Sequence, residues 1–228
     1  MKKTVKTAVI AILFTGSVLV HGQEKLMIDV GADVVSSYVW RGLYQAGVSV
    51  QPSLSLSTSG LTLGAWGSTD FSTYFKELDF YLSYEMKGFS AGITNYWWSG
   101  EGASFFEDRG SHLFEVNLGY TFSEKFPLSL GVNTMLSGDD DKNNNDKQRY
   151  STYISADFPF SVKKIDCEVG IGISPSKGLY SDTFDVATIT AKASKNLSLS
   201  SDYAIPVFVK LICSPAQDNA FLVFGLTF

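Results

Sequence analysis

Outside the first 22 residues the chain holds one histidine, His112, with Ser111 beside it and Glu115 three positions on. Serine, histidine and a carboxylate are the parts of an acyl-transfer triad, in which the base must touch the nucleophile and be oriented by a third group. The spacing works against that use. Neighbours on a strand point to opposite faces, so Ser111 and His112 diverge, and no other serine can be paired with the ring. A lipid-cleaving enzyme is therefore disfavoured, and no catalytic residue is assigned.

The acidic run Gly138 to Asp146 invites a calcium reading. With Asp139, Asp141 and Asn143 as the first ligands, Asn144 falls where a calcium loop needs glycine, and Tyr150 where it needs a bidentate glutamate. The motif fails twice, which leaves a solvated loop. Cys167 and Cys213 are too few for a disulfide scaffold, and their expected places at opposite ends of two strands argue against a bridge. Neither metal nor cofactor is expected.

What remains is a set of charged side chains recurring on alternate positions of apolar segments. Asp29, Asp33, Asp79, Glu85, Glu115, Asp157, Asp166 and Glu168 share the phase of their strands' polar faces, as do Arg41, Lys192 and Lys210. Carboxylates outnumber basic groups in this set. A face of that kind can select ions if it lines water.

The elements that must carry these groups are strands. Val48, Val50, Leu54 and Leu56 alternate with Ser49, Gln51, Ser53, Ser55 and Ser57. Leu78, Phe80, Leu82 and Tyr84 alternate with Glu77, Asp79, Ser83 and Glu85 in the same way. The first strand is read from Ile28 through Arg41, with breaks in phase at Val35, Ser36 and Val39. Period two fits these segments better than helical spacing. Short turns at Ser59-Gly60, Met86-Lys87-Gly88, Ser123 to Lys125 and Phe160 to Lys163 alternate with longer links at 68–76, 99–111, 137–148 and 174–183. Short turns opposite long loops, with apolar and polar faces alternating, predict an all-β transmembrane antiparallel barrel of the outer-membrane type. The count closes at twelve strands; phase is lost around 193–204, so ten remain possible. Tyr38, Trp40, Trp66, Phe71, Tyr74, Tyr96, Trp97, Trp98 and Tyr150 are expected in an outer aromatic girdle. Tyr84, Phe89, Tyr120, Phe122, Phe126, Phe158 and Phe228 are expected in a periplasmic one.

Both termini fit this reading. Lys2, Lys3 and Lys6 precede the apolar run Ala8 to Val20, and Val20-His21-Gly22 suits cleavage before Gln23. That run is shorter than the roughly 20 residues a membrane helix needs. Residues 1–22 are expected to be a signal peptide, and 23–228 the barrel. Without the signal, 15 basic residues face 23 acidic ones, a net charge of −8 that speaks against nucleic acid as a partner. Phe228 ends an amphipathic strand with Leu222, Phe224 and Leu226 on its face, and is expected to serve as the signal read by the outer-membrane assembly machinery.

The segment Ser37-Tyr38-Val39-Trp40-Arg41-Gly42, with Gln51-Pro52 and Gly60 to Ser68 after it, resembles the TorF-family porins (the Gcw_chp family). The likeness extends to Glu77 to Phe80, Ile205 to Phe208 and Val223 to Leu226; Ser214-Pro215 departs from the Asn-Pro of that family. The resemblance implies an outer-membrane porin of a Gram-negative bacterium, with membrane lipid and small solutes as its partners. It brings no established substrate. A porin-like channel for small hydrophilic solutes, preferring cations, is thus expected. A non-conducting structural or adhesive barrel is the alternative, favoured by the aromatic stretch Tyr96-Trp97-Trp98 with Phe105-Phe106.

Overall fold

The computed structural model describes residues 25–73, 75–99, 104–106, 111–200 and 204–228; the expected signal peptide and Tyr74 lie outside them. The strands are β1 (Met27–Val35), β2 (Tyr38–Trp40), β3 (Leu43–Ala46), β4 (Ser49–Thr58), β5 (Leu61–Asp70), β6 (Lys76–Met86) and β7 (Phe89–Ser99). They continue with β8 (His112–Thr121), β9 (Ser129–Ser137), β10 (Thr152–Val162), β11 (Ile165–Ser174), β12 (Asp185–Ser198), β13 (Ala204–Ser214) and β14 (Asn219–Thr227). Twelve of them, all but β2 and β3, form one closed antiparallel barrel in which each strand pairs with its neighbours in sequence and β14 closes onto β1. The strand number is twelve, not ten: β12 runs unbroken through Ser198 and pairs with β13 from Ile189–Cys213 to Ser198–Ala204.

The alternation makes the wall. Val30, Leu54, Leu63, Phe80, Leu82, Ile93, Leu118, Val169, Ile171, Leu211, Leu222 and Phe224 are exposed, and the residues between them turn inward. On β14, Leu222 and Phe224 are each 56% exposed while Val223 between them is 5% exposed. A closed sheet leaves no edge and satisfies its backbone from strand to strand, which is what a hydrocarbon setting demands. With its apolar outer belt, this is a barrel of the outer-membrane type. No helix among the described residues is long and apolar enough to cross a membrane.

Two-residue turns with positive φ at both positions close one end, at Ser59-Gly60 (53° and 81°) and Lys87-Gly88 (52° and 81°). This is the type I′ geometry whose twist matches paired strands, and it favours glycine second. The opposite end carries the longer links, and both described termini lie at the short-turn end. There Tyr84, Phe89, Tyr120, Phe122, Phe126 and Phe228 are exposed, with Phe126 5.6 Å from Phe158. The closing seam is staggered. β1 pairs with β4 along its whole length, from Met27–Ser57 to Val35–Ser49, but with β14 only at Asp33–Thr227, Val34–Leu226 and Val35–Gly225. Reciprocal backbone bonds between Ala32 and Phe228 (3.2 and 2.9 Å) extend the seam one pair further.

Candidate functional site

The first barrel strand ends at Val35 rather than running to Arg41. Ser36 donates its backbone N–H to Phe224 O (2.8 Å) while its hydroxyl accepts the Phe224 N–H (2.9 Å), and the chain then leaves the wall. β2 and β3 pair only with each other, through Tyr38–Ala46, Val39–Tyr44 and Trp40–Leu43. Arg41 (φ 48°) and Gly42 (φ 85°) form the turn between them, with the same two positive dihedrals as the short turns of the wall.

Contacts place this hairpin inside the barrel. Trp40 lies 5.5 Å from Tyr96 and from Trp98 on β7, and 5.5 Å from Tyr180 on the β11–β12 link. The Arg41 guanidinium stands 4.9 Å from the Tyr153 ring on β10. A Cβ at Gly42 would sit 2.6 Å from Ser214 Oγ on β13 and 2.7 Å from Ala187 O on β12. One hairpin reaches β7, β8, β10, β12 and β13 only by crossing the lumen at its long-loop end.

Its anchor is Arg41. Nη1 and Nη2 grip Glu115 Oε1 and Oε2 on β8 at 2.5 and 2.9 Å, and Nη1 also donates to Tyr180 Oη at 2.5 Å. Glu115 is fully buried, and its Oε2 accepts further bonds from Tyr96 Oη (2.8 Å) and Asn117 Nδ2 (2.7 Å). Asn117 in turn bonds Asn133 (2.9 Å) and accepts from Thr94 (2.8 Å). The guanidinium is sandwiched by Trp40 at 4.7 Å and Tyr153 at 4.9 Å. A buried ion pair survives desolvation only when its geometry is good and its remaining lone pairs are satisfied; both conditions hold here. Burial pushes the Tyr180 phenol up against a smaller lowering by Arg41, so the hydroxyl keeps its proton.

The remaining candidates spread along the inner face. Glu168, Lys192 and Lys210 form a cross-strand row on β11, β12 and β13. Lys192 faces Glu168 and Asp33, and its Nζ stands 4.6 Å from the Phe208 ring. Lys210 acts on both Asp157 and Glu168. Asp29 lies toward Tyr81, and Asp166 accepts from Ser161 Oγ at 3.0 Å near the short-turn end. Glu85 stands in phase with Asp79, two residues before β6 meets its turn. The structure thus separates these groups into a long-loop half, holding Arg41, Glu115 and Asp79, and a short-turn half with the rest.

Several expectations need correction. Tyr38, Trp40, Trp66, Tyr96 and Trp98 are not girdle residues. They pack inside the long-loop mouth, where Tyr38 and Trp66 meet edge to face at 5.5 Å, because the hairpin carries the first two inward and Trp66, Tyr96 and Trp98 share the inner phase of their strands. Arg41 belongs to the hairpin and not to the face of β1. The 137–148 link is only partly solvated. A 3-10 turn over Asp139–Asp141 buries Asp141, which accepts bonds from Ser151 Oγ and N and from Gln148 Nε2, while Asn143 to Asp146 stay exposed. Cys167 and Cys213 are free thiols. His112 bonds Asn95 Oδ1 (3.1 Å) and the Phe105 carbonyl (2.9 Å), on the face opposite Glu115.

The residues that sequence reasoning missed are the hairpin's receivers, Tyr96, Tyr153 and Tyr180, and one acid, Glu77. Glu77 was in phase with Asp79, so its inward position was readable. No signal pointed to Tyr180, which a loop delivers. No protein-family model and no curated protein matches this chain.

Proposed function

We propose that this barrel is a porin-like channel for passive diffusion of small hydrophilic solutes, cation-preferring, and of the TorF type that its Tyr38-Val39-Trp40-Arg41-Gly42 segment resembles. In this reading residues 1–22 direct export, the chain sits in the outer membrane, and the long loops face outward. The observation that carries it is the charge of the inner face. Asp29, Asp33, Glu77, Asp79, Glu85, Glu115, Asp157, Asp166 and Glu168 stand against Arg41, Lys192 and Lys210. Lining carboxylates lower the barrier for cations in a narrow aqueous path and raise it for anions. Twelve strands lie between small barrels filled by side chains and large ones with open channels, so the β2–β3 hairpin has enough lumen to narrow without needing to seal it. The test is conductance of the refolded chain in a planar bilayer, with the reversal potential read in a salt gradient. Cation-selective steps support the reading; anion selectivity at low salt overturns it.

A second reading is a non-conducting barrel, favoured by the hairpin's anchor: Arg41 and Glu115 are 11% and 0% exposed and bound on every side. Silence of the wild-type bilayer, with conductance appearing once the hairpin is released, favours that reading.

A further inference from the structure

Buried carboxylates elsewhere among the described residues have partners. Glu115 has Arg41, Tyr96 and Asn117; Asp141 has Ser151 and Gln148; Asp70 has Ser72 and Thr73. Glu77 and Asp79 differ. They are 4% and 6% exposed, two residues apart on the inner face of β6, and no ion pair among the described residues includes either. Glu77 lies against Tyr38, Trp98 and Asp79, and Asp79 keeps one contact to the Trp97 backbone, yet Oε1 and Oε2 of Glu77 and Oδ1 of Asp79 have no hydrogen bond of acceptable geometry. Leaving such oxygens unmet costs more than any other kind of buried polar atom.

Charge makes the same point. Arg41 balances Glu115, and the two carboxylates of β6 lie beyond its reach with a net deficit of positive charge. What surrounds them is aromatic. Trp98 is the cross-strand neighbour of Glu77 and Trp66 that of Asp79, with Tyr38 of the hairpin above them, 5.5 Å from Trp66 and 6.3 Å from Phe75. A hard divalent ion wants six or more oxygens, and no group of three metal-binding side chains occurs among the described residues. Rings suit an organic cation, whose charge is attracted to their faces. The three orphan oxygens match the three N–H donors of a primary ammonium.

We propose that Glu77 and Asp79, roofed by Tyr38 and walled by Trp66 and Trp98, form a binding site for the primary ammonium group of an amine solute at the long-loop mouth. The site deepens the cation-channel reading, because an amine held there stands at the entrance beside the hairpin.

Calorimetric titration of the refolded full chain in detergent with 1,4-diaminobutane tests it without requiring conduction. One equivalent is expected to bind, with tetramethylammonium, which has no N–H, and K⁺ both failing to compete at equal concentration. Glu77→Gln and Asp79→Asn, which remove charge without removing volume, are each expected to weaken binding by at least about tenfold, the loss of a charge-assisted hydrogen bond. Asp29→Asn, on another strand, is expected to leave it unchanged. Absence of binding in the wild type, equal competition by tetramethylammonium or K⁺, or unchanged affinity in Glu77→Gln overturns the proposal; absence of binding would mean that the two carboxylates share a proton instead. The wild-type competition needs no variant to fold. Binding without conductance keeps this site and removes the channel, and conductance without binding does the reverse.

Discussion

Arg41 and Glu115 are 74 residues apart in sequence and joined by two parallel hydrogen bonds of 2.5 and 2.9 Å inside the barrel. This one pair couples the β2–β3 hairpin to β8, across the lumen from the strand that feeds it. Nothing in the wall's own pairing holds the hairpin, since β2 and β3 bond only to each other.

Removing half of that pair should therefore be severe. Arg41→Gln strands a buried carboxylate, and breaking a buried ion pair costs about 3–5 kcal/mol. We expect the temperature at which the folded band converts on a denaturing gel to fall. Arg41→Gln combined with Glu115→Gln should recover part of the loss, and strict additivity of the two would show that they do not act as a unit.

Gly42 should tolerate no side chain. Its φ of 85° is strained for any other residue, and a Cβ would meet Ser214, Ala187 and Thr188 within 3 Å. Trypsin cleaves after arginine, and the Arg41-Gly42 bond is shielded while the hairpin is docked. Gly42→Ala should expose it, giving a new cut after Arg41 under conditions in which the wild type survives intact.

Selectivity should respond to the acids of β1. Asp29 and Asp33 share its inner face, with Asp33 near Lys192. Replacing both with asparagine should move the reversal potential toward anions, whereas Arg41→Gln should move it the other way or raise conductance. Both shifts should shrink in 1 M salt, where the Debye length is about 3 Å. Shifts that persist there would locate selectivity in something other than lumen charge.

The Phe228 ring is 57% exposed at the short-turn end while its backbone bonds Ala32, so its side chain acts on the surroundings and its main chain on the seam. Phe228→Ser keeps the second and removes the first. Recovery of folded barrel from membranes should drop further than for Thr227→Ser, whose side chain points inward. Equal recovery would remove any anchoring or assembly role for the ring.

Lys142 holds Asp139 and Asp146 at 2.8 and 3.1 Å, and the exposed Asn143 to Asn145 sit at the tip of that link. Hydrogen bonds to these carboxylates raise the Lys142 ammonium above its ordinary range. An epitope inserted after Asn144 should be reached by antibody on intact cells. Labelling only after permeabilisation would invert the proposed orientation.

The wall was legible because lipid and lumen impose opposite demands on successive side chains. Leu222, Phe224, Leu226 and Phe228 declare their face by period alone, and most of the twelve segments do the same, the stretch around 193–204 excepted. The hairpin was not legible, because Tyr38 and Trp40 continue the apolar phase of Val30, Ala32 and Val34 across a break of only a few residues. Arg41-Gly42 has the residue-then-glycine form of Ser59-Gly60 and Lys87-Gly88, and that was the available signal. Period two says which residues share a face; it cannot say that a face has been folded back through the middle of the barrel. Partners such as Tyr153 and Tyr180 follow from that return and so were invisible from spacing.

The staggered seam has a consequence for the order in which the molecule is built. Every other junction of the wall joins strands adjacent in the chain, except β1 and β4, which meet across the β2–β3 hairpin, and these can zip in sequence order at small loop-closure cost. The first strand meets the last through Asp33–Thr227 and its two neighbouring pairs, extended by the Ala32–Phe228 bonds, and this is the shortest junction of the wall. Closure therefore joins the largest sequence separation through the smallest number of pairs. The Arg41–Glu115 pair ties the region just beyond β1 to β8 without using β14. The hairpin then works as a tether that keeps β1 within reach of its final partner, and its loss should slow closure of the ring more than it slows the forming of the individual hairpins.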